Sequence, residues 1–289
     1  MKIRNIILSA ALAAGMLFSA GCGNNSAKPD LAKGAQVVSG ASSVGNIGDI
    51  TLTDGDLVAV FDIKGYGTIT AKLFPESAPV GVENFKQLAD SHFFDGLNIH
   101  RVVADFMFQG GSLNGNGTGG EAMVEGGSFG VETDLDNARH FYGALCYANA
   151  MGSNSTQFYI VNNNDSQNLD AMSADVFLSY ADQYAEAAES YTDTPDAYAY
   201  YNFYAQYYRT MADALASATD EVKAKYAEVG GTPSLDGNYT VFGQVYDGFD
   251  VIEKISAVSV EDNGNGEESK PLKDIIINSV NVYEFSSAE

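Results

Sequence analysis

The stretch from His100 to Gly120 reads HRVVADFMFQGGSLNGNGTGG and limits the possible folds more than any other part of the chain. It brings one guanidinium, a run of large apolar residues, one amide and a glycine-rich loop close together. Arg101, Phe106, Met107 and Gln109 have the spacing of two short strands whose alternate residues face the same way. A guanidinium beside an apolar hollow, with an amide to hold a peptide backbone, suits binding an uncharged chain better than breaking a bond. The glycine loop lacks the Lys-Ser/Thr pair of a phosphate cradle, so it does not read as a nucleotide site. His92, His100 and His140 show no metal-ligand spacing, and His100 reads as a packed residue that orders the site. Neither metal nor cofactor is expected.

The motif order resembles the cyclophilins, the cyclosporin-type peptidyl-prolyl isomerases. The family pattern runs roughly FHRV, FMxQGG and GTGTGG, where this chain has IHRV, FMFQGG and GNGTGG. Upstream, APVGVENF is similar to the family's APxxVxNF. Downstream, Ala148-Asn149-Ala150 and Gln157-Phe158 match its MANA-like and SQFFI segments. Leu235-Asp236-Gly237 and Val241-Phe242-Gly243-Gln244-Val245 then match LDG and VFGxV. The resemblance covers about residues 55–160 and 232–285. It implies a mostly β fold, a closed eight-stranded antiparallel barrel with two flanking helices, and the activity of a peptidyl-prolyl cis-trans isomerase. It also implies roles. Arg101 is the catalytic donor, and Gln109 holds the substrate backbone and helps fix Arg101. Phe106, Met107, Tyr159 and Leu235 line the proline pocket, and the main chain of Asn149 pairs with the residue before proline. Gly117, Ala148, Ala150, Gln157 and Tyr239 complete the groove.

Three positions depart from the family. Ser234 stands where Trp is common, and the chain contains no Trp. Tyr239 replaces a frequent His, and Tyr159 adds a hydroxyl to a pocket floor that is usually Phe. The first implies weak cyclosporin binding, and together they bear on catalytic efficiency. The alternative is a catalytically weak peptide-binding or chaperone module that acts through an inserted segment.

Residues 57–63 and 68–74 alternate like strands around the turn at 64–67. Pro79 opens a helix with Val82, Phe85, Leu88 and Ala89 on one face. Residues 143–148 read as a strand with Cys146 as a buried, inert thiol. A second helix is expected over 249–255 and a closing strand over 275–285. Between them, residues 165–231 read as a helical, acidic, Tyr- and Ala-rich insertion. Helical spacing runs over 175–191, 196–217 and 220–229, with Thr194-Pro195 as cap and first helical residue. Residues 161–233 hold ten of the 17 tyrosines, and 12 acidic against 3 basic residues. Tyr198, Tyr201, Tyr204 or Ala205, Tyr208, Met211 and Leu215 form a stripe suited to packing helix on helix. Both ends of the insertion adjoin the expected pocket, so it should overhang or flank the groove.

Overall, 38 acidic against 15 basic residues give a formal charge of −23. Such a surface repels phosphates, which argues against nucleic acid and gives no electrostatic help with anionic lipid. Membrane attachment must therefore come from the N-terminus. Lys2 and Arg4 precede an apolar run, Ile6 to Phe18, too short to span a bilayer comfortably. Ser19-Ala20-Gly21-Cys22 then resembles the bacterial lipoprotein signal, in which the Cys is lipidated. Ser19 departs from the preferred Leu, and an ordinary secretory signal is the alternative. The expected organisation is a signal peptide over 1–21, a flexible tether over 22–55 and an isomerase domain over 56–285. The tether's reach is roughly 30 Å. This places the protein in the cell envelope, anchored by lipid on Cys22 to the outer face of the bacterial membrane. Its expected partners are proline-containing segments of exported or unfolded proteins.

Overall fold

The computed structural model describes residues 33–38 and 43–287. The expected signal peptide and Cys22 lie outside the described residues. Two short strands, β1 (Gln36–Val37) and β2 (Thr51–Leu52), pair in parallel ahead of the main sheet. β3 (Leu57–Ile63) turns into β4 (Gly67–Leu73), in antiparallel register from Val58↔Lys72 to Ile63↔Gly67. α1 (Pro79–Asp90) starts with proline, whose fixed φ suits the first turn. Its Val82, Phe85, Leu88 and Ala89 are buried, as their helical spacing predicts.

β5 (Asn98–Ile99) and β6 (Arg101–Val103) are two halves of one extended run bent at His100, and β7 (Met107–Gly110) folds back on β6. The two-residue β8 (Phe129–Gly130) pairs with the hairpin of β9 (Ala144–Ala150) and β10 (Ser153–Val161) through β10. Three helices follow: α2 (Ala174–Glu189), α3 (Pro195–Ala216) and α4 (Asp220–Val229). The chain then returns through β11 (Val241–Asp247) and α5 (Phe249–Ser256). It ends with the hairpin β12 (Val260–Asp262) and β13 (Glu268–Pro271), then β14 (Ile275–Glu284).

The main sheet runs β5-β14-β3-β4-β11-β9-β10-β7-β6, every neighbour antiparallel. Its first and last members are the halves of the bent strand, so the sheet curls until it nearly closes. The sheet has ten strands against the eight expected, because β8 adds to β10 and the bent strand enters as two members, β5 and β6. α1 packs on β14 and β10, and α5 on β4, β6 and β7.

Alternation within the strands divides the apolar residues. Leu145, Tyr147, Phe158 and Ile160 point into the barrel, where they join Phe61, Phe85 and Phe242. Their neighbours Ala144, Cys146, Tyr159 and Val161 form a second cluster on the outer face.

One expectation fails. The later part of the segment read as a flexible tether, residues 43–55, is strapped to the barrel. Lys72, 2% exposed, donates from Nζ to Thr51 O (2.8 Å), Asp56 Oδ2 (3.1 Å) and Ser43 Oγ (3.2 Å). Fully buried Asn46 bonds Arg139 in both directions and donates to Gln244 Oε1. A buried ammonium and a buried amide must find partners, and this strap supplies them. Its Gly- and Ser-rich composition concealed these two obligations.

The helical insertion is docked by a buried charge network. Asp236 takes Arg139 Nη1 (3.2 Å) and the Tyr226 hydroxyl (2.9 Å) on Oδ2, and the His140 backbone N–H (3.0 Å) on Oδ1. The His140 ring nitrogen Nδ1 lies 2.8 Å from the same Oδ1. Arg139 also donates to Ala214 O and Ser217 Oγ at the end of α3, where carbonyls lack helical partners. Barrel, α3, α4 and the 235–239 loop thus meet at one carboxylate. Asp236→Ala strands the buried guanidinium and should cost about 3–5 kcal/mol, read as a lower urea midpoint. An unchanged midpoint would refute this docking account.

Candidate active site

The outward parity of β6 and β7 presents Arg101, Val103, Met107 and Gln109 on one face, with Arg101 directly across from Gln109. Phe106 lies in the connecting turn and not in a strand, which the spacing argument did not separate. The turn is held from both sides, since Phe106 N donates to Asn162 Oδ1 (2.8 Å) and Asn162 N to Phe106 O (3.2 Å). Asp105 takes the left-handed region there, with φ of 55°.

Polar groups form a relay across this face. Arg101 Nη1 lies 3.4 Å from Gln109 Oε1 and 3.8 Å from Met107 Sδ. Gln109 Nε2 donates to Gln157 Oε1 (2.9 Å), and Gln157 Nε2 to Gly117 O (3.0 Å). The glycine loop therefore terminates the relay. Its Gly120 sits where a Cβ would strike the Thr156 side chain of β10.

The firmest contacts of Arg101 come from a residue the sequence reading missed. Glu267 accepts from Nε and Nη2, each at 2.7 Å, in a two-pronged ion pair. Those hydrogen bonds hold the Glu267 carboxyl below its usual pKa, against the opposing effect of burial. The guanidinium carbon also stands 5.9 Å from the Phe106 ring centre. The signal for this hairpin was present, because Asn263-Gly264-Asn265-Gly266 carries two Asn-Gly pairs, a strong short-range turn pattern.

Beside the guanidinium lies the outer apolar cluster. Met107, Tyr159 and Leu235 are its buried members here, and Phe106, Ala148 and Tyr239 are half-buried. The structure thus gathers six of the expected groove residues in one place. The Tyr159 ring stacks on His140 at 6.2 Å and meets Tyr239 edge-on at 6.0 Å. Burial raises the pKa values of the Tyr159 hydroxyl and the adjacent Cys146 thiol well above normal, so both stay protonated. Burial, then the Arg101 charge, lower the pKa of His100 to about 4, which leaves it neutral at physiological pH.

β9 pairs with β11 only as far as Cys146, and Tyr147 N donates to Thr240 O. From Ala148 onward its edge has no strand neighbour on that side, among the described residues. The Asn149 side chain donates to Asn238 O and accepts from Gly152 N, which stiffens this edge. Ala150, exposed at the hairpin tip, falls outside the apolar cluster. From the insertion, Tyr207 of α3 meets Tyr239 at 6.4 Å, and Asn238 Nδ2 donates to Tyr207 O. α3 therefore flanks the site. No group of three or more His, Cys, Asp or Glu able to hold a metal occurs among the described residues.

Comparisons with known proteins agree on one family. The model for cyclophilin type peptidyl-prolyl cis-trans isomerase/CLD matches residues 58–180 and 203–282. A Staphylococcus aureus protein named as a peptidyl-prolyl cis-trans isomerase is 36% identical over 220 residues, 75% of this chain and 88% of its own. A Staphylococcus haemolyticus counterpart is 35% identical over 219 residues, 75% and 86% of the two chains. The crystal structure of a cyclophilin type isomerase from Cryptosporidium parvum superposes with a TM-score of 0.51 at 18% identity. It covers 80% of this chain and 99% of that one. A second structure of that protein, in the presence of the dipeptide Ala-Pro, gives 0.51 at 19% identity and covers 79% and 99%. At such identity the structural likeness concerns the fold alone.

Proposed function

The chain belongs to the cyclophilin-type peptidyl-prolyl cis-trans isomerase family, and from that premise we propose that Arg101 catalyses the twisting of Xaa-Pro amides in exported proteins. An unaided Xaa-Pro bond turns over in tens to hundreds of seconds, because rotation breaks an amide resonance worth about 18–20 kcal/mol of barrier. In the planar ground state the prolyl nitrogen shares its lone pair with the carbonyl and accepts no hydrogen bond. At the twisted transition state it becomes pyramidal and can accept one. A donor fixed beside it favours the transition state alone, as catalysis requires. One such donor is worth about 3–4 kcal/mol, or two to three powers of ten in rate.

One observation carries the reading. Arg101 is held firmly through Nε and Nη2, while among the described residues Nη1 has only long contacts, 3.4 and 3.8 Å, at the edge of the apolar cluster. Nη1 is the nitrogen left to serve a substrate. The prolyl ring would rest on Phe106, Met107, Tyr159 and Leu235, and the bare edge of β9 at Asn149 would hold the preceding residue. The Ala-Pro dipeptide used with the Cryptosporidium parvum protein is a ligand of the type this reading requires.

A second reading, a weak isomerase that acts mainly as a peptide-binding or chaperone module, draws support from Tyr207. Its ring on α3 abuts Tyr239, which would let the insertion lengthen the peptide-binding surface. A protease-coupled assay on a proline peptide separates the two. Measurable turnover that falls about a hundredfold in Arg101→Ala supports the enzyme reading. Wild-type protein that binds the peptide without turning it over supports the module.

For location, we propose lipid attachment at Cys22, which would hold the isomerase domain outside the membrane. Support comes from the basic, apolar and small-residue succession ahead of Cys22 and from a surface too acidic to bind anionic lipid unaided. In cells making the full chain, the wild type should partition into the detergent phase and Cys22→Ser into the aqueous phase. Equal partitioning of the two would exclude the lipid anchor.

A further inference from the structure

The contact between Arg101 and Glu267 joins residues 166 positions apart and brings a carboxylate to the back of the proposed donor. Glu267 precedes β13, and β13 packs against β6, the strand that carries Arg101. The hairpin itself is braced. Asn263 N donates to Glu267 O at 2.9 Å, and Asn263 Nδ2 donates to both Glu267 Oε2 (3.2 Å) and Ser269 Oγ (3.1 Å). Ser269 is fully buried, which anchors the far side of the turn. A flexible hairpin could not fix an arginine; this one has the bonds to do so.

We propose that Glu267 is a positioning residue for the isomerase reaction, a clamp that sets the guanidinium plane so that Nη1 faces the prolyl nitrogen. The proposal rests on the reading of Arg101 as donor. An arginine side chain has many rotamers, and a donor that must reorient during the reaction forfeits most of its advantage. Gln109 reaches Arg101 only through a long contact, so it cannot set the plane alone. The two-pronged carboxylate can, because a fork of parallel N–H bonds fixes direction as well as distance. It takes up Nε and Nη2 and leaves Nη1 on the pocket side. The clamp also offsets the positive charge of Arg101. The effect on a neutral substrate is therefore directional, and binding of the planar ground state should change little.

The test uses Glu267→Gln, Glu267→Ala and Glu267→Asp in the full chain, with folding checked by circular dichroism. Turnover of an Xaa-Pro peptide, followed by NMR exchange spectroscopy, should show kcat reduced about tenfold in Glu267→Gln and Glu267→Ala with KM within twofold. Glu267→Asp should recover part of the loss. In an Arg101→Ala background Glu267→Gln should cost nothing further, whereas a merely structural role would lower both backgrounds alike. The Arg101 Nε–H resonance, visible and slow to exchange in the wild type, should broaden in Glu267→Gln. An active wild type whose kcat is unchanged or raised by Glu267→Gln overturns the clamp alone. A folded wild type without turnover overturns both the clamp and the reading of Arg101.

Discussion

Successive residues of a strand face opposite sides of a sheet, and in β6, β7, β9 and β10 this alternation separates a packed interior from a working exterior. Val102, Phe108, Tyr147 and Phe158 fill the barrel, while Arg101, Met107, Gln109 and Tyr159 stand outside it. A slip of one residue in β6 would turn Arg101 toward the core, and one in β7 or β10 would expose Phe108 or Phe158. The register of the aromatic core therefore also orients the site. Phe61, Phe85, Phe94 and Phe158 interlock with centroid distances of 5.1–6.1 Å, which leaves little tolerance for such slippage.

The insertion depends on a different kind of interaction. Helices α2 and α3 pack on each other through tyrosine rings, with Tyr184 against Tyr201, Tyr204 and Tyr208. Arg139, Asp236 and Tyr226, all buried, tie α3 and α4 to the barrel. Such a network adds little net stability compared with a well-packed apolar contact, but every member fails badly without its partner. It lies one residue from Leu235, so the attachment of the helices and the shape of the apolar cluster share a short piece of chain.

Much of this was legible in the order of residues. The strand pair around Arg101 and the three inserted helices follow from local spacing, which reports which face a side chain takes, whereas Tyr159 and Leu235 were reached only through the resemblance to the cyclophilins. What escaped was long-range pairing. Residues 43–55 look like linker by composition, yet Lys72 and Asn46 require partners that only the folded barrel brings together. Arg139 and Asp236 look like ordinary surface charges until the insertion covers them. Glu267 follows a turn written plainly in Asn263–Gly266, but no local rule says that the hairpin faces Arg101. Phe106 differs again: its orientation depends on a turn held by Asn162, and alternation alone cannot supply that.

The central claim is that a guanidinium held from behind by a carboxylate offers one free edge to an amide nitrogen losing its planarity, over an apolar floor. A crystal structure with a bound Xaa-Pro peptide tests it most directly. The account predicts the prolyl ring between Phe106, Met107, Tyr159 and Leu235, with Arg101 Nη1 about 3 Å from the prolyl nitrogen. A peptide seated elsewhere on the barrel, or Arg101 turned away from the bound ring, would contradict it.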